Sequence, residues 1–207
     1  MYAREVDGQP LTFAVSGQLW QKSLLMYDVQ THSLWSQLRG EAMLGSWQGT
    51  RLRVLPSVVT DWETWCRCQP GSTVAWFDGP SEEFTREVYD DPARFVLGIA
   101  EGGQAKAWSF GELSRRGACN DTWNGTPVVA GLHLPSGTAR LYGREVEGRT
   151  LTFSLAGEEL MDAETGTTWN LVTGKSVTGP LLGRSLVPLP ATVSFRDAWQ
   201  RFHPRSR

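Results

Sequence analysis

The sequence predicts a mainly β protein made of two related antiparallel meander units with short helices, a β-rich α+β chain. Three observations predict it. The chain matches itself: Arg4-Glu5-Val6-Asp7-Gly8-Gln9-Pro10-Leu11-Thr12-Phe13 returns as Arg144-Glu145-Val146-Glu147-Gly148-Arg149-Thr150-Leu151-Thr152-Phe153. Short alternating runs are broken by Asp-Gly and Glu-Gly turns. The composition, with 22 Gly, 11 Pro, ten Trp, eight Phe and four Tyr in 207 residues, is rich in turn formers and aromatics, as sheets are and bundles are not.

The self-match defines the elements. A second block sets Asp28, Thr31, Trp35, Gly40, Gly45, Gly49, Leu52, Leu55, Pro56, Trp65, Arg67 and Pro70 against Asp162, Thr165, Trp169, Gly174, Gly179, Gly183, Leu186, Leu189, Pro190, Trp199, Arg201 and Pro204. The offset falls from 140 to 134 between the blocks, so the first copy carries about six extra residues between Gln18 and Leu25. Asp7-Gly8 and Glu147-Gly148 are hairpin turns, because Gly tolerates positive φ. A second turn spans Asp162–Gly166, with Gly166 at the left-handed position that His32 takes in the first copy. A third falls at Gly45–Gly49 and Gly179–Gly183. Each copy closes with a short helix, for which Thr60-x-x-Glu63 and Ser194-x-x-Asp197 are the expected capping boxes, and Pro70 and Pro204 end the two helices. The predicted organisation is a first unit at 1–70, an acidic connector at 71–95 and a second unit at 96–207. In the second unit, a strand–glycine turn–strand at 96–108, a short helix near Phe110–Arg116 and the apolar strand Pro127–Ala130 precede the hairpin. Residue 1 already stands where the second half of the repeat begins. The first unit is therefore expected to lack its N-terminal half, leaving a sheet edge for a second chain or an upstream segment to cover.

Charge narrows the function. Twenty Lys and Arg against 22 Asp and Glu give a net charge of −2, without the basic excess of a nucleic-acid surface, and no nucleic-acid partner is expected. No apolar stretch approaches the roughly 20 residues of a membrane helix. The N-terminus has no cationic stretch followed by an apolar one, so the chain as written is expected in the cytoplasm, or in the periplasm or outside the cell if it is an N-terminally truncated form.

With three Cys, at least one thiol is free within the chain. Cys66 and Cys68, two apart on a helix, point to nearly opposite sides, and all three cysteines read as ordinary small buried or half-buried residues rather than ligands or nucleophiles. The best reactive constellation is Cys119, Asp121 and His133, since a thiolate beside an imidazole and a carboxylate assembles a nucleophile or a metal site. The blander reading makes Asn120-Asp121, ahead of Asn124-Gly125, a turn whose side chains cap the backbone. Trp20, Lys22, His32 and Trp47 have no counterpart in the second copy and are the ligand-binding candidates, with inter-unit packing the competing use of the insertion. The sequence holds no Gly-rich phosphate loop, nucleophile elbow, His-Glu-x-x-His or Cys-x-x-Cys, and implies no cofactor.

In Val6-Asp7-Gly8-x-x-Leu11-Thr12-Phe13-x-Val15-Ser16-Gly17, Met26-Tyr27-Asp28-x-x-Thr31-x-Ser33-Leu34-Trp35-Ser36-Gln37, Gly40-Glu41-Ala42, and Asn120-Asp121-Thr122 with Gly125-x-Pro127-Val128, the chain resembles the bacterial family catalogued as domain of unknown function 3179. The resemblance implies a secreted or lipid-anchored β-rich protein with a Cys-Pro-Leu-Cys motif just before the first Val-Asp-Gly hairpin, and a thiol-redox or metal role. That position falls before Met1. In the second copy the matching stretch is His133-Leu134-Pro135-Ser136, an imidazole and a hydroxyl without a thiol pair. The leading expectation is a binding or accessory protein without its own catalytic centre, with a thiol-redox or metal-binding envelope protein as the alternative and a carbohydrate-binding module using Trp20 and Trp47 as the third.

Overall fold

The structure, a computed structural model, describes residues 1–21, 23–74 and 90–206. Two meanders organise it. In the first, the hairpin of β1 (Glu5–Val6) and β2 (Gln9–Pro10) leads into a four-stranded antiparallel sheet of β3 (Phe13–Trp20), β4 (Ser23–Asp28), β5 (Leu34–Ser36) and β6 (Glu41–Leu44), in that spatial order. The first helix, α1 (Trp62–Cys68), follows.

The second half starts with β7 (Phe95–Glu101) and β8 (Gln104–Ser109), then α2 (Phe110–Arg116), β9 (Ala118–Trp123), β10 (Thr126–His133) and β11 (Thr138–Gly143). The same pair of elements returns after them: the hairpin of β12 (Glu145–Val146) and β13 (Arg149–Thr150), and the sheet β14 (Phe153–Ala156), β15 (Glu159–Asp162), β16 (Thr168–Asn170), β17 (Ser176–Thr178). The chain ends with β18 (Thr192–Phe195) and α3 (Arg196–Phe202). The mainly β class is as the sequence predicts.

Local chemistry places the turns as expected. Asp7-Gly8, Asn124-Gly125 and Glu147-Gly148 all have positive φ at both central residues, which matches the strand twist of a two-residue hairpin. His32 sits at φ 57° where Gly166 sits at φ 70°. The six extra residues lengthen the β3–β4 hairpin, and a bulge between Val15 and Leu19 absorbs a break in its register.

Three points differ from the sequence reading. Asp61, not Thr60, caps α1, accepting from the Thr64 amide at 2.7 Å, and Phe195 precedes α3 with no side-chain cap. Ser194 belongs to β18, so the second capping box does not form. Asn120 and Asp121 lie in β9 rather than in a turn, although Asn120 does serve backbone: its amide donates to the Phe153 carbonyl at 2.7 Å and accepts from the Phe153 N–H at 2.8 Å. The connector between 75 and 89 lies outside the described residues.

The core has three parts. Val6, Leu11, Trp35, Ala42 and Leu52 form the core of the first meander. Val146, Leu151, Phe153, Leu160 and Trp169 form that of the second, against Val129 and Tyr142. Strand β10 also presents Val128, Ala130 and Leu132 to a further core with Leu97, Trp108 and Phe110, so it is covered on both faces. A strand covered twice reads as the near-continuous apolar run seen at Pro127–Ala130.

Candidate functional site

The β9–β10 register decides the fate of the Cys119, Asp121 and His133 constellation. Cys119 pairs with Ala130 and Asp121 with Val128, so both side chains share the face that packs on Leu97 and Trp108. His133 lies three residues beyond Ala130, on the Val129 side of the sheet. With alternate side chains on opposite faces, the structure keeps thiol and imidazole apart. Asp121 is spent on Lys106 Nζ at 2.7 Å and Trp108 Nε1 at 3.0 Å. Burial works against its charge, but these bonds prevail and hold its carboxyl below the usual range. The Cys119 thiol is pushed up by burial and by the Asp121 charge, which makes it a poor thiolate.

His133 enters a different site. A 3-10 turn at Leu134–Ser136 and left-handed Gly137 (φ 64°) bring Ser136 back under the imidazole, with 2.8 Å between Nδ1 and Oγ. A file of hydroxyls continues from Ser136 Oγ to Thr138 Oγ1 and on to Thr60 Oγ1, each step 2.7 Å. This file crosses from the second half of the chain to the first, and the Asp61 N–H donates to the Ser136 carbonyl beside it at 3.0 Å.

Helix α1 thereby stands over the second meander. Arg67 reaches Glu158 at 2.8 Å, and Cys68 Sγ lies 3.6–3.7 Å from the Asn170 amide group. Asn170 is fixed in turn, accepting from the Thr173 N–H at 2.9 Å and hydroxyl at 3.0 Å. Between helix and meander opens a cleft of about 460 Å³, lined among others by His133, Ser136, Cys68, Asn170, Thr173 and Lys175. Among the described residues, Lys175 has no ion-pair partner there, while Arg67 is neutralised by Glu158. Among those residues no group of three or more His, Cys, Asp or Glu is placed to hold a metal ion.

The other candidates scatter. Trp20, at the tip of the β3–β4 hairpin, meets Phe202 of α3 edge-on at 5.2 Å. Trp47 follows β6 at the opposite edge of that sheet and packs on the first core. His32 stacks on Tyr27 at 6.0 Å between ring centroids. Lys22 lies outside the described residues.

Sequence reasoning missed Cys68, Asn170 and Lys175. The only available signal was the alignment of His133–Ser136 with the family's thiol motif; which side chains face that stretch depends on where α1 docks.

A family model described as "Protein of unknown function (DUF3179)" matches residues 1–92 and 85–206. The chain belongs to this family. No curated protein and no solved structure matches it. Membership of DUF3179 agrees with the resemblance carried by the Val-Asp-Gly and Asp-x-x-Thr-x-Ser-Leu-Trp segments. It names no reaction. Among the described residues of this DUF3179 protein, no helix is long and apolar enough to cross a membrane.

Proposed function

We propose that this is a binding or accessory protein without its own catalytic centre, with units at 1–70 and 96–207, whose ligand enters the cleft between α1 and the second meander. The observation that supports this reading is Lys175, which has no ion-pair partner among the described residues and lines the cleft together with the hydrogen-bonded Ser136, Thr138, Asn170 and Thr173. One unneutralised cation among such groups suits a small, oxygen-rich ligand carrying one carboxylate. A second reading, thiol-redox chemistry, draws support from Cys68 in the same cleft as His133. The third, a carbohydrate platform of Trp20 and Trp47, would need two rings that already pack on Phe202 and on the first core.

Calorimetry with glucuronate and galacturonate as probes, and glucose as the uncharged control, tests the first reading. The expected result is saturable uronate binding, weakened about tenfold by Lys175→Ala, the equivalent of about 1.4 kcal/mol, and unchanged by Cys68→Ser. Uronate binding that is absent, or indifferent to Lys175→Ala and His133→Ala, overturns it. Thiol-disulfide exchange abolished by Cys68→Ser favours the second reading instead.

A further inference from the structure

The self-match places Val58, Val59, Thr60 and Asp61 opposite Thr192, Val193, Ser194 and Phe195. The latter four form β18, paired antiparallel with β7 as Thr192 to Gly98, Val193 to Leu97, Ser194 to Val96 and Phe195 to Phe95. The former four pair with no strand among the described residues. No backbone hydrogen bond engages Val58, Val59 or Thr60 there, and Val59 is 61% exposed although its counterpart Val193 packs on a core.

The helices repeat the contrast. Trp199 of α3 is 3% exposed and lies flat over Gly98, where a Cβ would come within 2.5 Å of its ring. Its indole N–H donates to Ser206, as that of Trp65 donates to Ser72, so the two rings are held alike. Trp65 is only half-buried, Trp62 is 52% exposed, and both line a groove of about 770 Å³ with Val58 and Val59 on one side and Val172, Thr173 and Lys175 of the second half of the chain among its other walls.

We infer that this groove is a strand-docking site: another polypeptide adds an extended segment antiparallel to Val58–Asp61, in the order aromatic, aliphatic, aliphatic, glycine. The register follows from β18 and β7. The glycine lies opposite Val58 under the Trp65 ring, where any side chain collides, and the aromatic residue lies opposite Asp61. Main-chain bonds to the open 58–60 backbone supply affinity, and the Trp65 contact supplies selectivity for glycine. A second copy of this chain is a poor donor. Its one segment of that order is Phe95–Gly98, hydrogen-bonded on both sides by β18 and β8.

Fluorescence anisotropy with a labelled Arg-Phe-Val-Leu-Gly-Ile-Ala peptide and the full chain tests the site. The expected result is saturable binding, weakened at least tenfold when the peptide glycine becomes valine and lost in Val59→Pro. Equal binding of the Gly and Val peptides, or wild-type binding by Val59→Pro, overturns the proposal. A dimer that dissociates in Val59→Pro and takes up no peptide overturns it in favour of self-association. Using peptide variants keeps the result readable whether or not Val59→Pro folds.

Discussion

The Asp28 carboxylate is fully buried, and every bond it makes is local: Thr31 N–H at 2.6 Å, Thr31 hydroxyl at 2.8 and 2.9 Å, and Trp35 Nε1 at 2.9 Å. Asp162 repeats the set with Thr165 and Trp169. The repeated Asp-x-x-Thr-x-Ser/Thr-x-Trp spacing is therefore a folding device, in which the carboxylate closes a turn and satisfies the indole N–H of a core tryptophan. Burial works to raise the Asp28 pKa, but the bonds from Trp35 and Thr31 outweigh it and hold the group below its ordinary value of 3.8. With the folded pKa below the unfolded one, the stabilisation is complete above the unfolded value and is lost as pH falls through the folded value. Asp28→Asn should cost on the order of 2 kcal/mol at pH 7, shrinking as acid protonates the wild-type group. Urea midpoints between pH 7 and pH 3 check this, and a pH-independent difference would refute it. The self-match sets Asp28, Thr31 and Trp35 against Asp162, Thr165 and Trp169. It could not pair the carboxylate with the indole, since that contact requires β4 and β5 to be side by side.

At the scale of elements, hairpins were legible and helix entries were not. A two-residue turn needs positive φ at adjacent positions, which Asp-Gly and Asn-Gly announce by themselves. A helix start depends on which nearby oxygen is free: Thr60 is engaged by Thr138, so Asp61 caps α1. The blander reading puts Asp121 in a turn because Asn124-Gly125 follows it; in the structure it lies in β9, where Lys106 and Trp108, from β8 of a neighbouring sheet, satisfy its carboxylate. The seat of α3 on β7 yields a sharp test. Gly98→Val places atoms where the Trp199 ring lies, and should destabilise the protein by about 1–3 kcal/mol. Chemical denaturation measures it, and a neutral result would mean that α3 can lift from the sheet without cost. Trp65 and Trp199 read alike in sequence, yet only Trp199 is sealed, because a strand runs beneath it.

On the scale of the whole molecule, contacts between the two halves set the candidate site. Besides the α1 cleft, α3 closes back on the first meander through Trp20 and Phe202, and His203 lines a second cleft with Arg39 and Arg51. Burial, then the charges of Arg39 and Arg51, lower the His203 pKa below its ordinary 6.5. Its contribution is thus present above pH 6.5 and lost as pH falls through that value toward the folded pKa. Thermal unfolding should drop by roughly 2–4 °C between pH 7 and pH 5, and His203→Gln should flatten the drop; an unchanged profile would refute it. The strand alternation, the two-residue turns and the closing helices were determined by the sequence alone, because each depends on residues within a few positions of one another. That His133 lines a cleft with Cys68 rather than sharing a strand face with Cys119, and that Trp65 lines an open groove, was decided only by the tertiary structure. The parity of β10 between two cores and the docking of α1 on the far meander are long-range choices, made by burial across the whole chain, and no local pattern encodes them.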